Sequence, residues 1–276
     1  MAVDETSAHR QYLLGDSPAE IRHLVEQAEV YAPEAGELFD LIGVDAGIAA
    51  IDVGCGVMGV LHLLAERVGS DGRVVGLDRE ARMVEYGRQL AEQRGLAVEF
   101  IEADATTSGL PDDAFDLVHA RTLLLNVSNP AEVVAEMVRI ARPGGMVASQ
   151  EPDAAAWSCD PPHPAFEILR AAILNAYRRT GKDFSIGRRI ARMLRDAGLD
   201  EVQVRATARV TNAGEYYQTF LLTIASLVGE VIVAAGELTA DELDSYATAL
   251  RAHLESPGTL TIQPVMWQAW GRVPEG

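Results

Sequence analysis

Three glycines, Gly54, Gly56 and Gly59, follow a short apolar run in the segment IDVGCGVMG. A strand that ends in glycines and runs into a helix lets its backbone approach a ligand closely, because glycine has no Cβ. The spacing G-x-G-x-x-G seats the pyrophosphate of NAD in dinucleotide-binding folds, but other nucleotide folds share it. The segment therefore predicts a nucleotide-type ligand and leaves its identity open.

Carboxylates near successive strand ends narrow the choice of ligand. Asp52 lies just before the glycines, where an acid suits a cationic group such as an α-amino group or a sulfonium. Asp78 ends the next run, VVGLD, and can accept hydrogen bonds from both ribose hydroxyls. Asp104, in FIEADA, can accept from an adenine amino group. NAD and S-adenosylmethionine both have a ribose that Asp78 could hold, so this acid alone does not distinguish them. Together, acids spaced along successive strand ends favour a positively charged sulfur nucleoside over a pyrophosphate.

Five motifs occur in the order IDVGCG, VVGLD, EADA, FDLVHAR and RPGG. Residues 49–150, which contain them, resemble the class I S-adenosylmethionine-dependent methyltransferases. More narrowly, the chain resembles the bacterial small-molecule methyltransferases related to quinone C-methylating enzymes. The outer segments YLLGDSPAEIRHLVEQA and WGRVP are similar to that group more loosely.

The resemblance implies a set of residues that contact S-adenosylmethionine. The glycine loop and Arg121 would lie beside the methionine portion, Asp78 would hold the ribose, and Asp104 would meet the adenine. The sequence departs from the family at Asn126, where many members carry His, so a His-based role at that position is in doubt. The expected cofactor-binding residues are Asp52, Gly54, Cys55, Gly56, Asp78, Arg79, Met83, Asp104, Ala105 and Arg121.

Methyl transfer from a sulfonium depends mainly on placing the nucleophile in line with the methyl group. A general base is needed only if the nucleophile must lose a proton. The catalytic candidates are Tyr12, Glu151 and His163. Each has a structural alternative: packing for Tyr12, loop capping for Glu151, and a surface or packing role for His163. The two cysteines have no metal-ligand spacing, so no metal is expected.

The elements that position these residues alternate between strands and helices, which predicts an α/β fold. We expect a Rossmann-like, seven-stranded, mostly parallel sheet with helices on both faces and a helical cap. The expected domains are an N-terminal helical cap (1–45), a cofactor-binding core (46–150) and a remainder (151–276) whose segments 151–186 and 212–256 complete the cap. Strands are predicted at 49–53, 73–77, 97–101, 115–119, 146–150, 201–210 and 259–269.

Charge and hydropathy argue against a nucleic-acid-binding, membrane or exported protein. The formal net charge of −18 argues against a nucleic-acid or anionic-membrane surface, because phosphate binding needs clustered Lys and Arg. The N-terminus has no apolar signal-peptide region, and with the unpatterned cysteines this predicts a cytoplasmic protein. The apolar run 220–235 is too short for a membrane span and contains Glu230, so it is a buried helix, a lid or an oligomer contact.

The leading hypothesis is an enzyme that methylates a small, fairly apolar metabolite at C, N or O. An NAD(P)-dependent oxidoreductase and a non-catalytic cofactor-binding protein are the alternatives. Methylation of a macromolecule is disfavoured by the acidic charge. The partner is thus expected to be a small molecule, and homo-oligomerisation is left open.

Overall fold

A computed structural model describes residues 18–275. Its main sheet has seven strands in the order β3-β2-β1-β4-β5-β10-β7, all parallel except β10, which is antiparallel to both neighbours. The strands of this sheet are β1 (Ala49–Val53), β2 (Arg73–Asp78), β3 (Glu99–Glu102), β4 (Phe115–Arg121), β5 (Ala141–Asp153), β7 (Asp200–Thr207) and β10 (Val265–Arg272). The predicted fold class is confirmed.

Helices cover both faces of the sheet and extend beyond its carboxyl edge. None of the helices within residues 18–275 has the length and apolar character needed to cross a membrane. The helices are α1 (Pro18–Val30), α2 (Ala32–Ile42), α3 (Leu61–Val68), α4 (Ala81–Arg94), α5 (Pro130–Ile140), α6 (Pro164–Arg179), α7 (Ile190–Asp196), α8 (Phe220–Leu227), α9 (Gly229–Ala234) and α10 (Ala240–Leu254).

The side chains of β1 show how the sheet divides the core. Ala50 packs in a cluster with residues of α2, α3 and α4. Ile51 and Val53 pack on the opposite face in a cluster that includes α5, α6 and α7. Successive strand residues point to opposite faces, and a strand covered on both faces is apolar on both. This explains why β1 reads as a continuous apolar run interrupted only by Asp52.

A second sheet, which the sequence did not predict, lies beside the first. It contains β6 (Ser158–Asp160), β8 (Val210–Asn212) and β9 (Leu260–Ile262), in the order β6-β9-β8. The single strands predicted at 201–210 and 259–269 are wrong, because each is divided between the two sheets. Pro264, which has no N–H to donate to a ladder, separates β9 from β10.

The apolar run 220–235 forms α8, which is largely buried, and α9, in which Gly229 and Ile232 are buried while Val233 is 38% exposed. Phe220, Leu221, Leu222, Ile224 and Ala225 are all buried. A buried helix therefore describes α8, while a lid and an oligomer contact stay predictions for the run as a whole.

Candidate active site

The candidate site lies at the carboxyl edge of the sheet, where the strand order reverses between β1 and β4. Ligands of open α/β sheets bind at such a switch point, because the loops after the two strands leave in opposite directions. The glycine loop follows β1 here, and a 3₁₀ turn (Leu124–Asn126) follows β4. Both segments flank the same crevice.

Left-handed backbone at three positions shapes the glycine loop. The φ angles are +71° at Gly54, +54° at Gly56 and +47° at Gly59, a region that residues with a Cβ rarely adopt. A Cβ at Gly54 would lie 2.6 Å from a methyl carbon of Leu123, and one at Gly59 would lie 2.1 Å from Oδ2 of Asp52. The spacing of the glycines therefore reflects backbone angles and close packing at the same time.

Asp52 lies behind the loop and is 1% exposed. Its Oδ2 accepts a hydrogen bond from Val60 N at 3.0 Å, and its Oδ1 lies 2.8 Å from Nδ1 of His119. Because protein groups occupy both carboxylate oxygens, Asp52 is not placed to contact a ligand cation directly, and that expectation is corrected. Its position instead indicates that it holds the loop against β4.

Three N–H groups at the start of the loop have acceptors within the protein. Gly54 N and Cys55 N donate to Leu77 O at 2.7 and 3.0 Å, and Gly56 N donates to Oδ2 of Asp78 at 2.8 Å. A pyrophosphate would need free N–H donors at this place. These three donors are therefore not free to bind a pyrophosphate.

Asp78 lies at the end of β2, beside the glycine loop. Its Oδ1 also accepts from Glu80 N at 3.0 Å. Burial raises the pKa of this carboxyl, and the hydrogen bonds from Glu80 N and Gly56 N oppose that effect. The half-buried carboxylate thus lies at the carboxyl end of β2 and is fixed there by two backbone donors.

The residues expected around the adenine lie after β2 and β3. Arg79 is exposed and pairs with Glu80 at 3.1 Å, whereas Met83 is buried and packs with Val57. Asp104 is exposed and accepts from the backbone and hydroxyl of Thr106 at 2.8 and 2.6 Å.

The hydroxyl bond is the main reason why the pKa of Asp104 is lowered. Ala105, the next residue, is half-buried. Asp104 thus remains ionised and is fixed by its own turn, at the end of the strand next to Asp78.

Arg121 ends β4 and is almost completely buried, with 6% of its surface exposed. Its Nη2 donates to Gly59 O at 3.0 Å, and its guanidinium lies 6.0 Å from the ring centroid of Tyr31. Its Nη1 is buried and has no hydrogen-bond partner among residues 18–275. Burial lowers the pKa of Arg121, while nearby Asp52 acts in the opposite direction. A buried cation with an unused donor is suited to an anionic group such as a carboxylate.

Glu151, a catalytic candidate from the sequence, is fully buried in β5. Its Oε1 accepts from Leu123 N at 3.0 Å and Leu124 N at 2.8 Å, and its Oε2 accepts from Leu125 N at 3.2 Å. Burial raises its pKa to about 8, although these three donors oppose the shift. The carboxyl therefore holds the 3₁₀ turn after β4, and its assignment as a catalytic group is corrected to a positioning role.

The other two catalytic candidates do not gain support from the structure. His163 is the N-cap of α6: its Nδ1 accepts from Ala165 N at 3.2 Å, and its ring stacks on His253 with centroids 4.7 Å apart. It does not line the cavity described below, so its assignment as a catalytic base is corrected to a helix-capping role. Tyr12 lies outside the described residues and stays a prediction.

A cavity with about 460 Å³ of empty space, part of it open to solvent, lies beside the turn after β4. It is connected to the glycine loop through Leu24, which lines the cavity and would lie 3.5 Å from a Cβ at Gly56. Its walls come from α1, the turn after β4, the end of β5 and the helices added after β5. They are mostly apolar or aromatic, with few polar groups. The lining residues are His23, Leu24, Gln27, Tyr31, Thr122, Leu125, Asn126, Pro152, Tyr177, Phe184, Phe220, Ile224, Pro264 and Met266.

The sequence did not identify most residues of this cavity. His23 was missed because it occurs in an ordinary amphipathic helix, in the segment IRHLVEQ, with no motif around it. Thr122 was missed as well, although it has an unusual φ of +53°. Asn126 was noticed only as a departure from the family. One feature of the sequence could have indicated this cavity wall: Thr122 and Asn126 follow immediately after a strand that ends at the switch point.

Comparison with known proteins places the chain among methyltransferases. A family model described as a methyltransferase domain matches residues 44–197, more than half of the chain. A demethylmenaquinone methyltransferase from Geobacillus sp. (strain WCH70) is 32% identical over 184 residues, covering 60% of this chain and 76% of the relative. An uncharacterized 37.1 kDa protein in transposon TN4556 of Streptomyces fradiae is 34% identical over 183 residues, covering 66% of this chain.

The matched region amounts to 52% of the length of the Streptomyces fradiae protein, so this chain aligns with about half of it. Among solved structures, a SAM dependent methyltransferase from Aquifex aeolicus has a TM-score of 0.52 at 24% identity. The likeness covers 72% of this chain and 94% of that one. At this identity the structural match is a likeness of fold.

Proposed function

Since the chain belongs to the methyltransferase domain family, we propose that it transfers the methyl group of S-adenosylmethionine to a small, fairly apolar acceptor at carbon, nitrogen or oxygen. S-adenosylmethionine is the cofactor, and the NAD(P) alternative is set aside by the family match. The observation that carries the choice of acceptor is the aromatic and aliphatic cavity beside the turn after β4.

The residues around the crevice fit this cofactor. The unused Nη1 of buried Arg121 suits the methionine carboxylate. At Gly56, where a Cβ would make only an ordinary 3.5 Å contact with Leu24, a ligand could approach the backbone closely. Asp78 would accept from the ribose hydroxyls, and Asp104 from the adenine amino group. Arg79, Met83, Ala105 and Cys55 would complete the cofactor surroundings. When bound, the cofactor supplies an electrophilic methyl group on a sulfonium.

The protein contributes to the reaction mainly by position. The glycine loop is held from behind by Asp52, and the turn beside it is held by Glu151, so both walls of the crevice are fixed before a ligand binds. Placing an acceptor in line with the methyl group removes much of the barrier to a displacement of this kind. The apolar walls also exclude water from the reacting atoms.

The expected domain division supports the same proposal. α1 and α2, within the N-terminal cap 1–45, and α6 and α8, within the later cap segments, are separate in sequence, yet α1, α6 and α8 all contribute walls to the cavity. The core 46–150 contributes the glycine loop and the turn after β4. We therefore propose that the caps select the acceptor while the core holds the cofactor.

The acceptor is proposed to be a small molecule and not a nucleic acid, in view of the net charge of −18. A cytoplasmic location is proposed because no membrane-crossing helix is found within residues 18–275 and both cysteines are free thiols. Cell fractionation tests the location: recovery with the membrane or the exported fraction would contradict it.

Methyl transfer is tested by incubating the purified chain with methyl-labelled S-adenosylmethionine and a metabolite extract. We expect label in an organic-soluble product, because the cavity is mostly apolar. Label confined to protein or RNA would overturn the proposal. Calorimetry with S-adenosylhomocysteine and with NAD gives an independent measurement, in which only the former is expected to bind.

A further inference from the structure

His23, on α1, is a buried histidine without a structural task. It is 4% exposed and lines the cavity, and both of its ring nitrogens are buried without a hydrogen-bond partner in the described part of the chain. Its ring stacks on Phe220, with centroids 5.8 Å apart and planes 17° apart. Burying a polar group without a partner costs free energy, so such a group in a cavity wall points to a missing ligand.

Asn126 presents a second unused polar atom in the same cavity wall. Its Nδ2 donates to Thr122 O at 3.0 Å, which orients the side-chain amide. The other amide atom, Oδ1, is buried and has no partner within residues 18–275. The turn that carries Asn126 is held by Glu151, so this carbonyl oxygen has a fixed position.

The rest of the cavity wall indicates what kind of ligand could bind beside these two polar groups. Tyr177, Phe184 and Phe220 supply aromatic surface, while Leu125 and Ile224 supply aliphatic surface. Aromatic side chains pack well against a flat ring. A ligand that fits both the walls and the two polar atoms is therefore an aromatic ring with one hydroxyl group.

We propose that His23 and Asn126 form the polar subsite of the acceptor pocket, which takes an aromatic hydroxyl and in which His23 accepts the hydroxyl proton during methyl transfer. This proposal rests on the proposed function and deepens it to O-methylation of a phenol-type acceptor. Before transfer the single hydroxyl proton would be donated to Asn126 Oδ1, which positions the oxygen. The hydroxyl would then turn so that the same proton faces a ring nitrogen of His23.

A lone pair of the acceptor oxygen forms a bond to the methyl carbon, and the bond from that carbon to the sulfonium sulfur breaks with its electron pair left on sulfur. The O–H proton passes to a ring nitrogen of His23, which becomes an imidazolium and later releases the proton to solvent. The products are an aryl methyl ether and S-adenosylhomocysteine.

The surroundings of His23 favour the neutral ring that this step needs. Burial lowers its pKa below the usual 6.5, and Glu26 on the same helix raises it less. The other titratable groups in the cavity wall are Tyr31 and Tyr177, and burial raises the pKa of Tyr31. At neutral pH, His23 is therefore an uncharged base.

Binding of 2-naphthol, compared with 2-methoxynaphthalene, tests the subsite without turnover. In the presence of S-adenosylhomocysteine, we expect the wild-type chain to bind 2-naphthol about tenfold more tightly, as one or two hydrogen bonds would give. Asn126→Leu should abolish this preference. In the presence of labelled S-adenosylmethionine, 2-naphthol should become labelled.

His23→Gln separates the chemical role from binding. It keeps a polar side chain, so 2-naphthol affinity should change by less than about threefold, while the rate of transfer should fall by about a hundredfold, as expected for the loss of a general base. The wild-type rate should rise with pH through a value below 6.5, and the His23→Gln rate should not. His163→Asn, which retains a helix-capping side chain outside the cavity, is the matched control and should behave as wild type.

The outcomes distinguish the two proposals. If the chain binds S-adenosylhomocysteine and labels an extract but does not prefer 2-naphthol, or does not bind it, the subsite proposal fails and the proposed function stands. If 2-naphthol binds with preference but His23→Gln transfers methyl at the wild-type rate, the role of His23 as a base is overturned. If neither cofactor binding nor labelling occurs, the proposed function itself fails.

Discussion

The Nδ1 atom of His119 lies 2.8 Å from Oδ1 of Asp52, and this contact joins two neighbouring strands directly behind the glycine loop. The Nε2 atom of the same ring lies 2.8 Å from Nε2 of Gln150. Gln150 Oε1 in turn accepts from Gln268 at 2.7 Å. A row of buried polar side chains therefore crosses four strands beneath α2 and ends at the loop. Its members have partners in one another, so the row can be stable inside an apolar core.

Asp52→Asn tests whether this row positions the loop. An asparagine side chain has a carbonyl oxygen on one side and an NH₂ group on the other. Either Val60 N or Nδ1 of His119 would therefore face the NH₂ group and lose its acceptor. The free energy of unfolding should fall by about 1 to 3 kcal/mol. We expect S-adenosylhomocysteine affinity, measured by calorimetry, to fall at least about tenfold for the same reason.

The matched control is Asp116→Asn, since Asp116 accepts from Ala49 N at the opposite end of β1. It should leave cofactor affinity unchanged. Equal affinity losses in the two variants would show that Asp52 acts on the whole strand and not on the loop.

Gly59→Ala tests the close approach of Asp52 to the loop. The added Cβ would lie 2.1 Å from Asp52 Oδ2 at a φ of +47°, so both a clash and backbone strain are expected. We predict a loss of about 3 kcal/mol in unfolding free energy and weak cofactor binding. Gly43→Ala, at a φ of +72° with no atom within 4 Å, should show only the strain, about 1 kcal/mol. Equal losses of unfolding free energy in the two variants would contradict the close contact between Gly59 and Asp52.

Arg121→Met tests the assignment of Arg121 to the methionine carboxylate. Removing a buried cation that has an unused donor should leave the unfolding free energy nearly unchanged, because the charge is costly to bury. Affinity for S-adenosylhomocysteine should fall by about 10- to 100-fold. Affinity for 5′-methylthioadenosine, which lacks the carboxylate, should not change. An equal loss for both ligands would assign Arg121 to the loop alone.

Glu151→Gln tests the buried carboxyl through pH. The pKa of Glu151 in the folded protein is about 8, above its ordinary 4.5, so between these pH values the native state binds more protons than the unfolded state. Stability should therefore fall as pH rises from about 4.5 to about 8, by up to about 1.4 kcal/mol per pH unit, and level off above. Glu151→Gln should lose this dependence in urea unfolding series at pH 5 to 9. Parallel pH slopes for the two proteins would contradict the raised pKa.

Motifs predicted the fold class and the methyltransferase family correctly because they depend on local geometry. The glycine spacing, the apolar run of β1 and the acids at the ends of β2 and β3 are set by backbone angles and strand periodicity, which a chain carries within a few residues. The family comparison then confirmed the methyltransferase class. Individual roles were less certain, since Asp52 and Glu151 proved to be buried behind the site.

The sequence by itself determined the fold class, the crevice and the kind of cofactor. Only the tertiary structure brought together the residues of the proposed acceptor pocket, because His23, Asn126 and Phe220 are far apart in sequence and no local pattern marks them. It also decided which acids face the crevice, since whether a carboxylate is a ligand group or a buried brace depends on the N–H groups that surround it. Those donors come from other strands and turns, and packing alone brings them together.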